Sequence, residues 1–267
     1  MTYQALAIDL DGTLLIGEDL PEANRQAVAA ASAAGLQIII ATARWRQMAE
    51  RVATSIGINA PIIACSGAQV YIPDSGQDIF DHRVPQALTE MLYEICNNHR
   101  CIATVTGDEH TLLKLDGEPN KSLMDDEMRW VTQLSLDHIS QPRIATVQGS
   151  AVVKLIRDTL KEAYRDQINI YDSIGPTGRV VLTITNKQAN KGAALEVACK
   201  EQSIDPSSVI AFGDAENDIA MFNVAGASVA MGNAGDEIKA AATTTTAANT
   251  ENGVALVINR LLETGDL

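Results

Sequence analysis

Positive charge is in short supply in this chain: 20 Lys+Arg stand against 34 Asp+Glu, so the formal net charge is 20 − 34 = −14. A surface of that sign repels phosphate backbones and anionic headgroups, which argues against binding to nucleic acid or a membrane surface. Cysteine is scarce as well. Cys65, Cys96, Cys101 and Cys199 are scattered, with no C-x-x-C pair and no histidine cluster near them, so they read as plain thiols rather than as a disulfide framework or a zinc site. His82, His99, His110 and His138 show no metal-ligand spacing either. No apolar run approaches the ~20 residues that cross a bilayer. The opening MTYQALAIDLDGT has no basic stretch and meets two carboxylates by residue 11, which is unlike a secretory signal. These absences predict a cytoplasmic protein.

What is present is an ordinary globular composition, 46% hydrophobic and 20% charged, far from that of disordered chains. At about 150 residues per domain, 267 residues make one large domain or two modest ones. Tyr3 to Ile8 is an apolar run ending at Asp9, and Leu36 to Ala41 and Ile62 to Cys65 are two more. Between them lie helical stretches, one from Ala23 to Ala34 behind Pro21 and one from about Arg44 to Ile56, stopped by Gly35 and Gly57. Continuous rather than alternating apolar strands predict a parallel sheet with helices on both faces.

The pattern then changes. Val70 to Ile72 and Asp78 to Phe80 flank Pro73-Asp74-Ser75-Gly76, a hairpin signal. Further on, helices are expected over Gln86 to Asn98, near Leu123 to Leu134 and over about Val152 to Tyr164. Strands are expected over Ile102 to Thr106, His110 to Leu115, Arg143 to Val147, Ile168 to Tyr171 and Val180 to Ile184. Paired strands with inserted helices predict an α+β module with an antiparallel sheet. After Lys191 the first idiom returns: helix Gly192 to Glu201, strand Val209 to Phe212, helix Asp218 to Val224, strand Ser228 to Met231 and a closing helix Val254 to Glu263. The patch Ala240 to Ala248 reads as low complexity of no consequence. The fold class expected is therefore α/β, a Rossmann-like doubly wound core over residues 1–82 and 188–267, interrupted by an α+β insertion over 83–187.

Asp9 and Asp11 follow the first strand and Asp214 follows the strand Val209 to Phe212. Ligands of open α/β sheets bind at that edge. Asp9 and Asp11 are two apart, so in extended chain they leave on the same side. Like charges so close call for raised pKa values or a hard cation with oxygen ligands, and Mg²⁺ suits a few carboxylates with water and phosphate oxygen.

Asp9-Leu10-Asp11-Gly12-Thr13 after an apolar strand resembles the first motif of the haloacid dehalogenase superfamily. Thr42 after LQIIIA resembles its second motif, Lys191 opening a helix its third, and Gly213-Asp214-Ala215-Glu216-Asn217-Asp218 its fourth. The spacing is similar to the Cof-type branch (class IIB), whose C2-type cap lies between the second and third motifs, as are Gly67-Ala68, Met231-Gly232-Asn233-Ala234 and Asn252-Gly253-Val254-Ala255. The likeness covers roughly residues 1–82 and 188–267. In the insertion it extends to position and length more than to sequence.

The resemblance implies a phosphatase that hydrolyses a small phosphorylated metabolite, such as a sugar phosphate, through an aspartyl-phosphate. A phosphomutase using the same intermediate, or a binding module without catalysis, stays open as an alternative. By that resemblance Asp9 is the nucleophile and Asp11 the general acid and base. Mg²⁺ is held by Asp9, the Asp11 backbone carbonyl and Asp214, and Lys191 offsets charge on the phosphoryl group. Thr42, the backbone N–H groups of Leu10 and Ala43, and Asn217 hold phosphate, while Asp218 orients Lys191 or a metal-bound water. Read from the residues alone, Thr42 is an N-cap for the helix near Arg44, Lys191 a solvated lysine at a helix start, and Arg44 either a substrate contact or, as is more common, an exposed helix arginine. Two positions depart from the branch: Ala43 stands where Gly is usual, and Ser66 where Asn is frequent.

Overall fold

The computed structural model describes residues 3–115, 117, 119–120, 124, 126–174 and 180–267. The strands are β1 (Ala5–Ile8), β2 (Gln37–Ala41), β3 (Ile62–Ala64), β4 (Gln69–Ile72), β5 (Gln77–Asp81), β6 (Ile102–Thr106) and β7 (Thr111–Lys114). They continue with β8 (Met128–Val131), β9 (Ile144–Gln148), β10 (Ile168–Ile174), β11 (Val180–Asn186), β12 (Val209–Gly213), β13 (Ala227–Ala230) and β14 (Thr244–Thr245). The helices are α1 (Glu22–Ala33), α2 (Arg46–Ser55), α3 (Gln86–Asn98), α4 (Ser150–Ile156), α5 (Lys191–Glu201), α6 (Ile219–Val224), α7 (Asp236–Ala241) and α8 (Gly253–Thr264). The chain divides into two compact units, Met1–Asp81 with Asn190–Leu267, and the inserted His82–Ala189. Among the described residues no helix is long and apolar enough to cross a membrane.

The first unit is an eight-stranded sheet in the order β14-β13-β12-β1-β2-β3-β4-β5. Its strands run parallel from β14 to β3, and β4 and β5 add an antiparallel hairpin. Every residue of β1 is buried, which is why the run is continuously apolar: it sits between β12 and β2 with helices over both faces. Its small residues Ala5 and Ala7, with Ala41 and Ala211, pack in one core cluster with Ala194, Leu195 and Ala198 of α5 and Met221 and Phe222 of α6. Alanine on both sides lets α5 approach the sheet closely.

The inserted unit is a six-stranded sheet in the order β10-β11-β9-β6-β7-β8. Leu88, Leu92, Tyr93 and Cys96 of α3 and Val152, Val153 and Ile156 of α4 pack on its Ala103, Val105, Ala145, Val147, Leu182 and Ile184.

Several local expectations are corrected. The helix expected from about Leu123 begins on residues outside those described, and its later part is instead strand β8. There Met-Arg-Trp-Val pairs parallel with β7, so one parallel pair joins an otherwise antiparallel sheet. Sheet pairing overrides a weak helical pattern in so short a segment. The helix expected to Tyr164 leaves α geometry at Ile156 and continues as a π-helical turn, Arg157–Lys161. The Ala/Thr-rich patch is not inert. Ala240 and Ala241 close α7, and Thr244–Thr245 forms the edge strand β14, a place suited to β-branched residues.

Candidate active site

Three neighbouring strands, β12, β1 and β2, end at Gly213, Ile8 and Ala41. The next residues, Asp214, Asp9 and Thr42, therefore meet at one edge. β1 is also where the winding reverses, β2 and β3 lying to one side and β12 and β13 to the other. That reversal opens a crevice at the carboxyl ends of an α/β sheet. The loops after β1 and β12 approach closely: a Cβ at Gly12, whose φ is +80°, would stand 2.3 Å from Asp214 Oδ2. Only glycine tolerates both that conformation and that contact.

Lys191 enters as the first residue of α5. The side chain of Asn190 accepts a hydrogen bond from Ala193 N at 2.9 Å and so caps the helix. The Lys191 side chain is fully buried, and its Nζ donates to Asp9 Oδ1 and to Asp218 Oδ1, each at 2.6 Å. The solvated lysine read from the residues alone is thus a core residue. Asp218 is fully buried too, and its Oδ2 accepts from Asp214 N and Ala215 N, both at 2.9 Å. One carboxylate thereby fixes Lys191 on one side and the Asp214 loop on the other.

Oxygens of Asp9, Asp214 and Asp218 lie within 4.8 Å of one another. When ionised these three carry −3 against the +1 of Lys191, a net −2. Burial holds Asp9 well above the usual carboxylate range despite Lys191, with Asp218, Asp214 and Asp11 adding to the rise. Asp214 is pushed up to about 7, by burial first and then by Asp218. Burial works to lower Lys191, but Asp218 and Asp9 raise it above its ordinary value, so it stays an ammonium. Asp218 gives one oxygen to Lys191 and the other to two loop amides. Asp214 meets longer side-chain contacts, at 3.2 and 3.3 Å, and Asp9 bonds Lys191 through one oxygen, so Asp9 and Asp214 are the side chains better placed to take a cation. An all-oxygen donor set with two surplus negative charges fits a hard divalent ion.

Asp214 is steadied by residues whose part was not read from the sequence. Its Oδ1 accepts from Thr13 Oγ1 at 3.2 Å and its Oδ2 from Asn233 Nδ2 at 3.3 Å. Asn233 also donates to Gly12 O, and its Oδ1 accepts from Asn249 N. The signal available was Met231-Gly232-Asn233-Ala234, noted as a family likeness without a role.

Thr42 is fully buried, and its Oγ1 accepts from Arg44 N at 3.1 Å. It therefore caps a turn, not a helix, because α2 starts only at Arg46 and has no side-chain cap. The hydroxyl hydrogen is left for an incoming acceptor. Ala43 is exposed beside it, and Leu10 is buried in the loop after β1. Asn217 donates to Ser66 Oγ at 3.4 Å. Ser66 and its neighbour Cys65 both have positive φ, 55° and 52°, and strained non-glycine backbone of this kind gathers at functional sites. Asp11 is the one predicted carboxylate that faces elsewhere: both of its oxygens accept from Arg44, at 2.6 and 2.9 Å. Arg44 is not the exposed helix arginine expected, since its side chain is only 8% exposed.

Such an edge sets buried carboxylates around one buried ammonium. The chain is a member of the haloacid dehalogenase-like hydrolase family, whose model matches residues 6–258. It is 30% identical over 285 residues to the 5-amino-6-(5-phospho-D-ribitylamino)uracil phosphatase YwtE of Bacillus subtilis, covering 97% of this chain and 98% of the relative. It is 29% identical over 273 residues to the pyridoxal phosphate phosphatase YbhA of Escherichia coli, covering 97% and 98%. Among solved structures it resembles a haloacid dehalogenase-like hydrolase from Bacteroides thetaiotaomicron with TM-score 0.83 at 22% identity, over 97% of this chain and 99% of that one.

Proposed function

We propose that this protein is a Mg²⁺-dependent phosphatase of the cytoplasm that hydrolyses a small phosphorylated metabolite, such as a sugar phosphate, through an aspartyl-phosphate on Asp9. The observation that carries the reading is the position of Lys191 Nζ, 2.6 Å from both Asp9 and Asp218. A buried ammonium holding one oxygen of a buried carboxylate leaves the other oxygen as nucleophile and keeps a positive charge beside the phosphoryl group. The names of the relatives support a small phosphorylated substrate, and four buried thiols, none in a disulfide, suit a reducing compartment.

In the first step an Asp9 oxygen attacks phosphorus, an O–P bond forms, and the ester P–O bond breaks. Asp11 gives its proton to the departing alkoxide. In the second, water attacks the aspartyl-phosphate, Asp11 takes up its proton, and inorganic phosphate leaves Asp9 regenerated. Lys191, the Thr42 hydroxyl, the Leu10 and Ala43 amides and Asn217 hold the phosphoryl oxygens, and Asp218 keeps Lys191 in place. Asp9, the Asp11 carbonyl and Asp214 would hold Mg²⁺, which when bound offsets the repulsion between nucleophile and phosphate.

The test is phosphate release from a panel of phosphorylated metabolites, with and without Mg²⁺, for wild type and Asp9→Asn together. Metal-dependent release that vanishes in the variant is expected. Release by Asp9→Asn at the wild-type rate would remove Asp9 as nucleophile.

A further inference from the structure

Arg44 is bound along two edges. Nε and Nη2 donate to Asp11 Oδ2 and Oδ1, at 2.9 and 2.6 Å. Nη1 and Nη2 donate to Glu18 Oε2 and Oε1, at 2.6 and 3.1 Å, and Nη2 also reaches Gly17 O at 3.2 Å. The arginine side chain is 8% exposed, while those of Asp11 and Glu18 are 54% and 75% exposed. A tight turn presents Glu18: Ile16 and Asp19 exchange both backbone hydrogen bonds, at 2.9 and 3.1 Å, around Gly17 and Glu18. Gly17 has φ +61°, and a Cβ there would meet nothing within 4 Å, so conformation rather than space favours glycine.

Fork-to-fork pairing of this kind engages both carboxylate oxygens. To serve a leaving group, Asp11 must turn at least one oxygen toward it, and so must break at least one contact with Arg44. Without another acceptor, that turn would strand a nearly buried guanidinium, which is strongly unfavourable. Glu18 and Gly17 O supply the acceptors that remain.

We propose that Arg44 and Glu18 form a parking site for Asp11. Arg44 holds the Asp11 carboxylate between turnovers, and Glu18 keeps Arg44 satisfied when Asp11 swings away to act. Both are positioning residues, since Arg44 acts through Asp11 and Glu18 acts through Arg44. The inference rests on the phosphatase reading above, because it needs Asp11 to act on a leaving group.

The test compares kcat/KM, which covers the steps up to leaving-group loss, for two substrates. One is the best primary alkyl phosphate of the panel and the other is p-nitrophenyl phosphate, whose phenolate leaves without a proton. Wild type, Glu18→Gln, Arg44→Met and the double variant are measured at saturating Mg²⁺. In Glu18→Gln the pull of Arg44 on Asp11 strengthens, so the alkyl-to-aryl ratio falls about tenfold, a part of the ~10²–10⁴ that general acid catalysis supplies. In the double variant the hold on Asp11 is gone and the ratio returns toward wild type. Equal losses on both substrates in Glu18→Gln would make Glu18 merely structural and overturn the proposal. An unchanged ratio, or a double variant no better than Glu18→Gln, would do the same. If Arg44→Met does not fold by circular dichroism, the ratio in Glu18→Gln decides alone, since Glu18 is exposed. A wild type that releases phosphate from no alkyl phosphate removes the phosphatase reading and this inference with it, whereas an active wild type with an unchanged Glu18→Gln ratio removes only the parking site.

Discussion

Each unit buries a lysine, and the two are held differently. Lys191, at the head of α5, is fully buried and bonded to Asp9 and Asp218. Lys114, in β7 of the inserted unit, is 1% exposed, donates to His99 O at 3.1 Å and lies 3.8 Å from Cys101 Sγ. The first stands where parallel strands end and where two further carboxylates, Asp214 and Asp11, lie nearby in charge terms. The second is embedded in a sheet, with a carbonyl and a thiol among its neighbours. Burial of a charge does not by itself make a site; what matters is whether its partners can also face a ligand.

The sharpest way to test the nucleophile side of that contrast is Asp9→Asn, for which turnover is expected to fall by about 10³-fold or more with no phosphoenzyme trapped. Next comes the lysine pair itself. Lys191→Met leaves two buried carboxylates facing each other, so it is expected to lower kcat/KM by about 10²-fold and stability in urea by about 3–5 kcal/mol. Lys114→Met is expected to keep kcat/KM within about twofold, as a change that replaces one long side chain with another in the inserted unit's own sheet rather than at the edge where Asp9 and Asp214 meet. Equal losses in the two variants would break the comparison.

Asp214→Asn probes the open side of the cluster. It removes one charged oxygen ligand and is expected to raise the Mg²⁺ needed for half-maximal rate by about tenfold; an unaltered metal titration would remove Asp214 as a ligand. The smallest effect is one of pH on the metal-free protein. Asp214, pushed up to about 7 from 3.8, binds its proton more tightly folded than unfolded. Its contribution is therefore fully present below about pH 4 and is lost as pH rises to about 7, and Asp9 shifts in the same direction. Thermal melts without metal are expected to show that decline, with Mg²⁺ raising the melting temperature more at pH 8 than at pH 5. A Mg²⁺ effect that is the same at both would count against the acidic cluster as the binding place.

Much of the architecture was legible in short stretches. The runs ALAI, IIIA and VIAFG are continuously apolar because the strands they form are buried on both faces, and each is followed by a polar residue at the crevice edge. Pro21 before α1 and Gly35 after it marked that helix from both ends. The errors fell where neighbours in space outvoted local pattern: β8 owes its state to pairing with β7, and β14 to pairing with β13.

Family membership could be reached from order along the chain, because four motifs, each a strand end or helix start, are local features at fixed succession. The partnerships inside the site could not. Lys191 meets Asp9 across 182 positions, and Arg44 meets Glu18 across 26 and Asp11 across 33. No periodicity or spacing encodes those distances. They follow from β12, β1 and β2 lying side by side and from a turn at Gly17 that carries Glu18 back to Arg44, and so an arginine that reads as a surface residue becomes the nearly buried partner of the Asp11 carboxylate only once the chain is folded.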